Sequence, residues 1–167
     1  RRRHTRFRNV TGVQTCALPI SGSISSAPIL YSGDFTPDTY PGAYIEEYIR
    51  LAITEGTITN TNYTLSQDNV ITVNTSGFYR ITCKCLFTVS TLGSSDNITL
   101  GVAINNSIYK TNIATRNISQ PYVDCIAQLN AGDTIQFQGA TTSLSLQFTI
   151  PVEASTTNSY FFIEKLN

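Results

Sequence analysis

Residues 68–90 read DNVITVNTSGFYRITCKCLFTVS. Beyond Gly77 the side chains alternate. Tyr79, Ile81, Cys83, Cys85, Phe87 and Val89 share one face, and Arg80, Thr82, Lys84, Thr88 and Ser90 share the other, with Leu86 out of pattern. Successive side chains of a strand point to opposite faces, so this period of two marks a half-buried strand. Val70, Ile71 and Val73 predict a shorter strand before it. The link Asn74-Thr75-Ser76-Gly77 has turn chemistry, because Asn and Gly tolerate positive φ.

The same reading extends downstream. Ile98, Leu100, Val102 and Ile104 alternate, Asn105-Asn106-Ser107 turns the chain, and Ile108 to Ile113 returns. Val123, Cys125, Ala127 and Leu129 form another alternating set, and Asn130-Ala131-Gly132-Asp133 is a tight turn leading to Ile135 and Phe137. Leu144, Leu146, Phe148 and Ile150 alternate up to Pro151. The last strand, YFFIEKL from Tyr160 to Leu166, is apolar on both faces at its start, which places it centrally in a sandwich or under another subunit. Upstream, Thr57 to Leu65 reads as a weak, exposed strand. Ala43 to Ile53, AYIEEYIRLAI, carries both helical spacing and alternation; its strand-rich surroundings favour a strand over Tyr48–Thr54 after a helical turn. Ser21 to Tyr40 is rich in Ser, Gly and Pro without a period, so residues 21–42 read as a linker or irregular lead-in to a domain over 43–167. About nine or ten strands with turn signals between them argue for an all-β sandwich or jelly roll.

The first 20 residues stand apart. They hold five of the eleven Lys and Arg residues, the only His and one of the four Cys. Val10 to Ile20, VTGVQTCALPI, resembles the translation of a sequencing adapter, and residues 1–20 are read as a non-native segment fused to a truncated gene. Without them six basic residues face eleven acidic ones, a net charge of −5. An acidic surface argues against a nucleic-acid partner and fits an extracellular or particle-surface domain. The 147 residues that remain are enough for a self-sufficient core. No apolar run approaches the ~20 residues of a membrane span.

Chemistry-bearing constellations are sparse. With His4 set aside the body has no His, so hydrolysis by Ser-His-Asp or Cys-His groups lacks its base. Glu46-Glu47 is the only adjacent acid pair, and strand neighbours face opposite ways, so it reads as solvated surface rather than a glycosidase pair. No phosphate loop, dinucleotide fingerprint or EF-hand loop occurs. Asp133 after Gly132 caps a turn rather than binding Ca²⁺. Tyr31, Tyr40, Tyr44 and Tyr48 admit two readings, packing or an aromatic sugar-binding surface. No cofactor or metal is expected.

Three segments, in order, resemble the jelly-roll family of the complement C1q head and tumour necrosis factor: ITVNTSGFYRI (Ile71–Ile81), AQLNAGDTIQF (Ala127–Phe137) and SYFFIEKL (Ser159–Leu166). The resemblance is strongest to the heads of bacterial collagen-like surface proteins and to phage fibre tips, although no Gly-X-Y tract precedes the domain. It implies a jelly-roll β-sandwich of about 9–10 antiparallel strands and a non-catalytic homotrimer for surface recognition. The terminal strand would pack towards the three-fold axis, with Phe161, Phe162 and Ile163 at the interface. The location implied is extracellular, on a bacterial cell, spore or virion surface. A cell-surface glycan or protein receptor is the implied partner, with no nucleic acid and no membrane insertion. The alternative is a monomeric carbohydrate-binding β-sandwich of a secreted enzyme or adhesin. In the resembled fold the strands of Cys83, Cys85 and Cys125 are neighbours. That leaves three readings: buried thiols, a disulfide from Cys125 to Cys83 or Cys85, or an incomplete zinc site.

Overall fold

Alternation in the sequence becomes alternation in burial. In Gly77–Lys84, Tyr79, Ile81 and Cys83 are buried while Phe78 and Arg80 are exposed. The computed structural model describes residues 29–41, 47–56, 61–89, 97–114, 118–142, 147–152 and 159–166. The segment 1–20 lies outside them. In chain order the strands are β1 (Ile29–Phe35), β2 (Asp38–Tyr40), β3 (Ile49–Arg50), β4 (Ile53–Glu55), β5 (Tyr63–Leu65), β6 (Ile71–Val73), β7 (Gly77–Lys84) and β8 (Phe87–Val89). They continue as β9 (Ile98–Ile104), β10 (Ser107–Ala114), β11 (Ile118–Ser119), β12 (Tyr122–Leu129), β13 (Thr134–Thr141), β14 (Phe148–Ile150) and β15 (Tyr160–Leu166).

All the pairings are antiparallel. One sheet runs β12-β7-β15-β1-β4. A second runs β10-β9-β13-β6-β5, with β3 also on β13, and a third runs β11-β8-β14-β2. The chain is an all-β sandwich. Its core lies between the first two sheets, with Tyr31, Ile81, Phe161 and Ile163 from one and Leu100, Val102, Ile135 and Phe137 from the other. The strands number more than nine or ten because several are broken where the chain passes between sheets. The long strand read from Gly77 to Ser90 breaks at Cys85-Leu86, where Leu86, the residue out of pattern, donates its N–H to Ser159 Oγ instead of to the ladder (2.8 Å).

Three expectations are corrected. Residues 29–40 are not a linker: β1 pairs with both β15 and β4, and β2 pairs with β14. Gly33 and Pro37 masked this, since both read as breakers. Pro37 falls where the chain leaves β1 for β2. Tyr48–Thr54 is not one strand; β3 lies in one sheet and β4 in another, with Leu51 and Ala52 crossing between them. The helical turn expected before it and the strand residues Leu144 and Leu146 lie outside the described residues. Asn74 and Gly77 do not adopt positive φ; Asn74 works through its side chain, donating from Nδ2 to Thr61 O (2.8 Å). The Asn105-Asn106 turn does have φ of 50° and 65°, as a tight hairpin of this hand requires.

Gly33 has a steric reason to be glycine. It faces Phe161 across the β1–β15 ladder. A Cβ there would lie 2.2 Å from Thr54 O and 2.6 Å from the Phe161 ring. Backbone cannot yield as a flexible side chain does, so Gly33→Ala forces strands β1 and β4 apart. Overpacking of this kind costs about 1–3 kcal/mol. The expected result is a lowered denaturant midpoint for Gly33→Ala, measured by tryptophan-independent far-UV circular dichroism.

Candidate assembly surface

The register of the five-stranded sheet lines its outward side chains into rows. Gln128, Phe78 and Leu166 form one row, and Ile126, Arg80, Glu164 and Leu30 the next. Asp124, Thr82, Phe162 and Ser32 follow, then Tyr122, Lys84, Tyr160 and Asp34. Four large apolar residues stand open to solvent here: Phe78 (52% exposed), Tyr122 (42%), Ile126 (56%) and Phe162 (41%). Depressions of about 290, 350 and 480 Å³ open beside them. The outward face of the second sheet differs: it carries Thr64, Thr72, Thr134, Gln138 and the nearly buried Gln136. Arg50 Nε donates to Gln136 Oε1 there (3.2 Å). Scattered exposed apolar residues are ordinary, but several together on one sheet face mark a contact surface.

An ion pair sits among them. Arg80 donates from Nε and Nη2 to the two Asp124 oxygens, at 2.9 and 2.7 Å, and Thr82 Oγ1 donates to Asp124 Oδ1 at 3.2 Å. Among the described residues it is the one ion pair. The hydrogen bonds from Arg80 hold the Asp124 carboxyl below the usual carboxylate range against the opposing effect of desolvation, with the charge of Arg80 and the Thr82 hydrogen bond adding less.

The edge strand β12 adjoins β10. The β9–β10 register shifts between Ile108 and Lys110, a bulge at Tyr109. Beyond it, Tyr109 Oη donates to Ile126 O (2.7 Å) and Asn112 Nδ2 donates to Tyr122 O (2.8 Å). Side chains thereby cover carbonyls that an edge strand leaves open to further strand pairing. Ile108, Tyr109 and Ile113 make this edge apolar too.

The expected interface residues part company here. Phe161 and Ile163 are fully buried in the protomer's own core, because alternation along β15 turns them inward, and Phe162 alone of the three faces out. Of the three readings left open for the cysteines, the structure has free thiols at Cys83, Cys85 and Cys125. Register explains it: Cys83 faces Val123 and Cys125 faces Ile81, so the two cysteines meet only diagonally. Burial pushes the Cys125 thiol up to about 11, with Lys110 pulling the other way. Among the described residues no cluster of three metal-ligating side chains forms. Asp133 caps its turn, accepting from Asn130 N (2.7 Å) and Asn105 Nδ2 (2.9 Å). Tyr31 and Tyr40 are buried and offer no sugar platform; Tyr44 lies outside the described residues.

No protein-family model and no curated protein sequence matches the chain. Solved structures do. Eiger TNF from S. frugiperda superposes with a TM-score of 0.61 at 12% identity, over 84% of this chain and 93% of that one. Murine APRIL at pH 8.5 gives 0.59 at 12% identity, over 82% and 99%. The fold is that of the tumour necrosis factor jelly roll. Among the described residues no helix is long and apolar enough to cross a membrane.

Linkage follows from the ion pair. A carboxyl whose folded value is depressed contributes stability that is complete above the ordinary carboxylate range and is lost as pH falls below about 4. The wild-type protein is expected to lose stability between about pH 5 and 2 more steeply than Asp124→Asn. Urea midpoints measured across that range check it; parallel curves would show that the pair contributes nothing.

Proposed function

We propose that this chain is a non-catalytic homotrimeric head that assembles through the outward face of the five-stranded sheet. The carrying observation is the clustering of Phe78, Tyr122, Ile126 and Phe162 on that face, next to a second apolar patch on the β10 edge. Two different patches suit a heterologous contact, in which one copy's edge meets the next copy's face and rotation closes a ring; a two-fold dimer needs only one patch. The TNF-like jelly roll supports a ring of three. Burial of a large apolar side chain is worth about 1.5–3 kcal/mol, enough for four such residues to drive association.

The assembled head serves surface recognition, outside the cell, on a bacterial cell, spore or virion surface. The acidic body, the absence of a His base in it and the likeness to collagen-like heads and phage fibre tips support this reading. Its target is a cell-surface glycan or protein receptor, met at the loop ends and between subunits. The alternative of a monomeric sugar-binding module loses support with Tyr31 and Tyr40 buried.

Light scattering tests the assembly. The expected mass is three times the 18.3 kDa chain, persisting on dilution. Phe162→Asp removes nothing from the protomer's core, so a folded chain with at least hundredfold weaker association is expected. A wild-type chain that runs as a monomer at micromolar concentration overturns the reading.

A further inference from the structure

The five-stranded sheet has β12 at one edge and β4 at the other. On the β12 side, Lys110 of β10 is exposed between Tyr109 and the Cys125 region, on the apolar seam that joins the two sheets. On the far side, Asp34 and Glu55 line the depression of about 350 Å³, with Tyr160 and Phe162 as its aromatic wall. Gly56 leaves this depression open, because it has no side chain to fill it. Within the protomer the row runs Lys84, Tyr160, Asp34, so the nearest cation of that row is separated from Asp34 by a whole strand. Among the described residues the one ion pair is Arg80–Asp124, so Lys110, Asp34 and Glu55 enter none.

An edge-on-face ring brings one copy's β10–β12 seam against the next copy's β15, β1 and β4. We propose that Lys110 of one copy seats in the Asp34/Glu55 depression of the next, with Tyr109 packed against the next copy's Tyr160 and Phe162. This rests on the self-assembly reading above and specifies its contact. A lysine set among aromatic walls and two carboxylates is held by charge and by its apolar stem together. The pairing also excludes an isologous arrangement: a far side laid on another far side would bring acid against acid, and like charges in contact are disfavoured. The second copy is therefore the occupant, met in a fixed direction around the ring.

Charge reversal in the full chain tests the contact. Lys110→Glu and Asp34→Lys each are expected to raise the dissociation constant at least tenfold by light-scattering dilution, with far-UV circular dichroism unchanged. The double variant K110E/D34K is expected to regain most of the wild-type affinity, because the pair is restored with its signs exchanged. Raising salt from about 0.05 to 0.5 M should weaken the wild type and leave the neutral variant Lys110→Gln less affected. A Lys110→Glu protein that stays as tightly assembled as wild type overturns this contact and leaves the assembly reading intact. So does a double variant no tighter than either single one. A wild-type chain that is a monomer overturns both.

Discussion

Phe161 meets Phe137 across the sandwich, with ring centroids 4.9 Å apart, and the remaining architecture depends on that contact. Phe161 comes from the centre of one sheet and Phe137 from the centre of the other. Phe35 packs edge-on against both, and Tyr31 lies tilted beside Phe161 and stacked on Tyr63. The cluster explains two otherwise odd features. Gly33 must lack a side chain because the Phe161 ring fills the space above it. Residues 29–35 must be a strand rather than a lead-in, because Tyr31 and Phe35 supply one wall of the aromatic cluster.

Committing Phe161 inward commits Phe162 outward. The pleat of β15 allows no other result, and β7 and β12 obey the same rule in register with it. Each inward residue that builds the core therefore sets an outward neighbour on the candidate assembly surface. Where the outward residues are Phe78, Tyr122, Ile126 and Phe162, that surface is apolar. The Arg80–Asp124 pair lies within it and is only partly exposed, so its hydrogen bonds remain satisfied if the surface is covered. A charge in such a place is tolerated when it is paired and hydrogen-bonded.

The same economy governs the edges. An open edge strand invites further pairing, and β12 is shielded by Tyr109 and Asn112 rather than by another strand. The bulge in β10 turns these side chains towards β12. One local irregularity thus seals the seam of the sandwich and leaves Tyr109 and Lys110 facing out beside it. The seam and the sheet face differ in shape and charge, which is the asymmetry a closed ring of identical copies uses.

Alternation alone disclosed most of this protein's strands, its fold class and the inward residues of β7, β9 and β12, because a period of two is a local property of the backbone. Turn residues disclosed the Asn105-Asn106 hairpin and the Asp133 cap for the same reason. The order of three short segments pointed to the jelly roll. What sequence did not disclose is long-range. Gly33 and Pro37 looked like breakers until β15 lay beside β1. YFFI looked wholly apolar until the pleat assigned Phe161 and Ile163 to the core and Phe162 to the surface. Cys125 looked able to bond Cys83 or Cys85 until register set it opposite Ile81. Tyr31 and Tyr40 looked available until the core closed over them. Strand order, register and burial are set by contacts between residues far apart in the chain, and only the tertiary structure decides which of two faces, or which of two partners, a side chain meets.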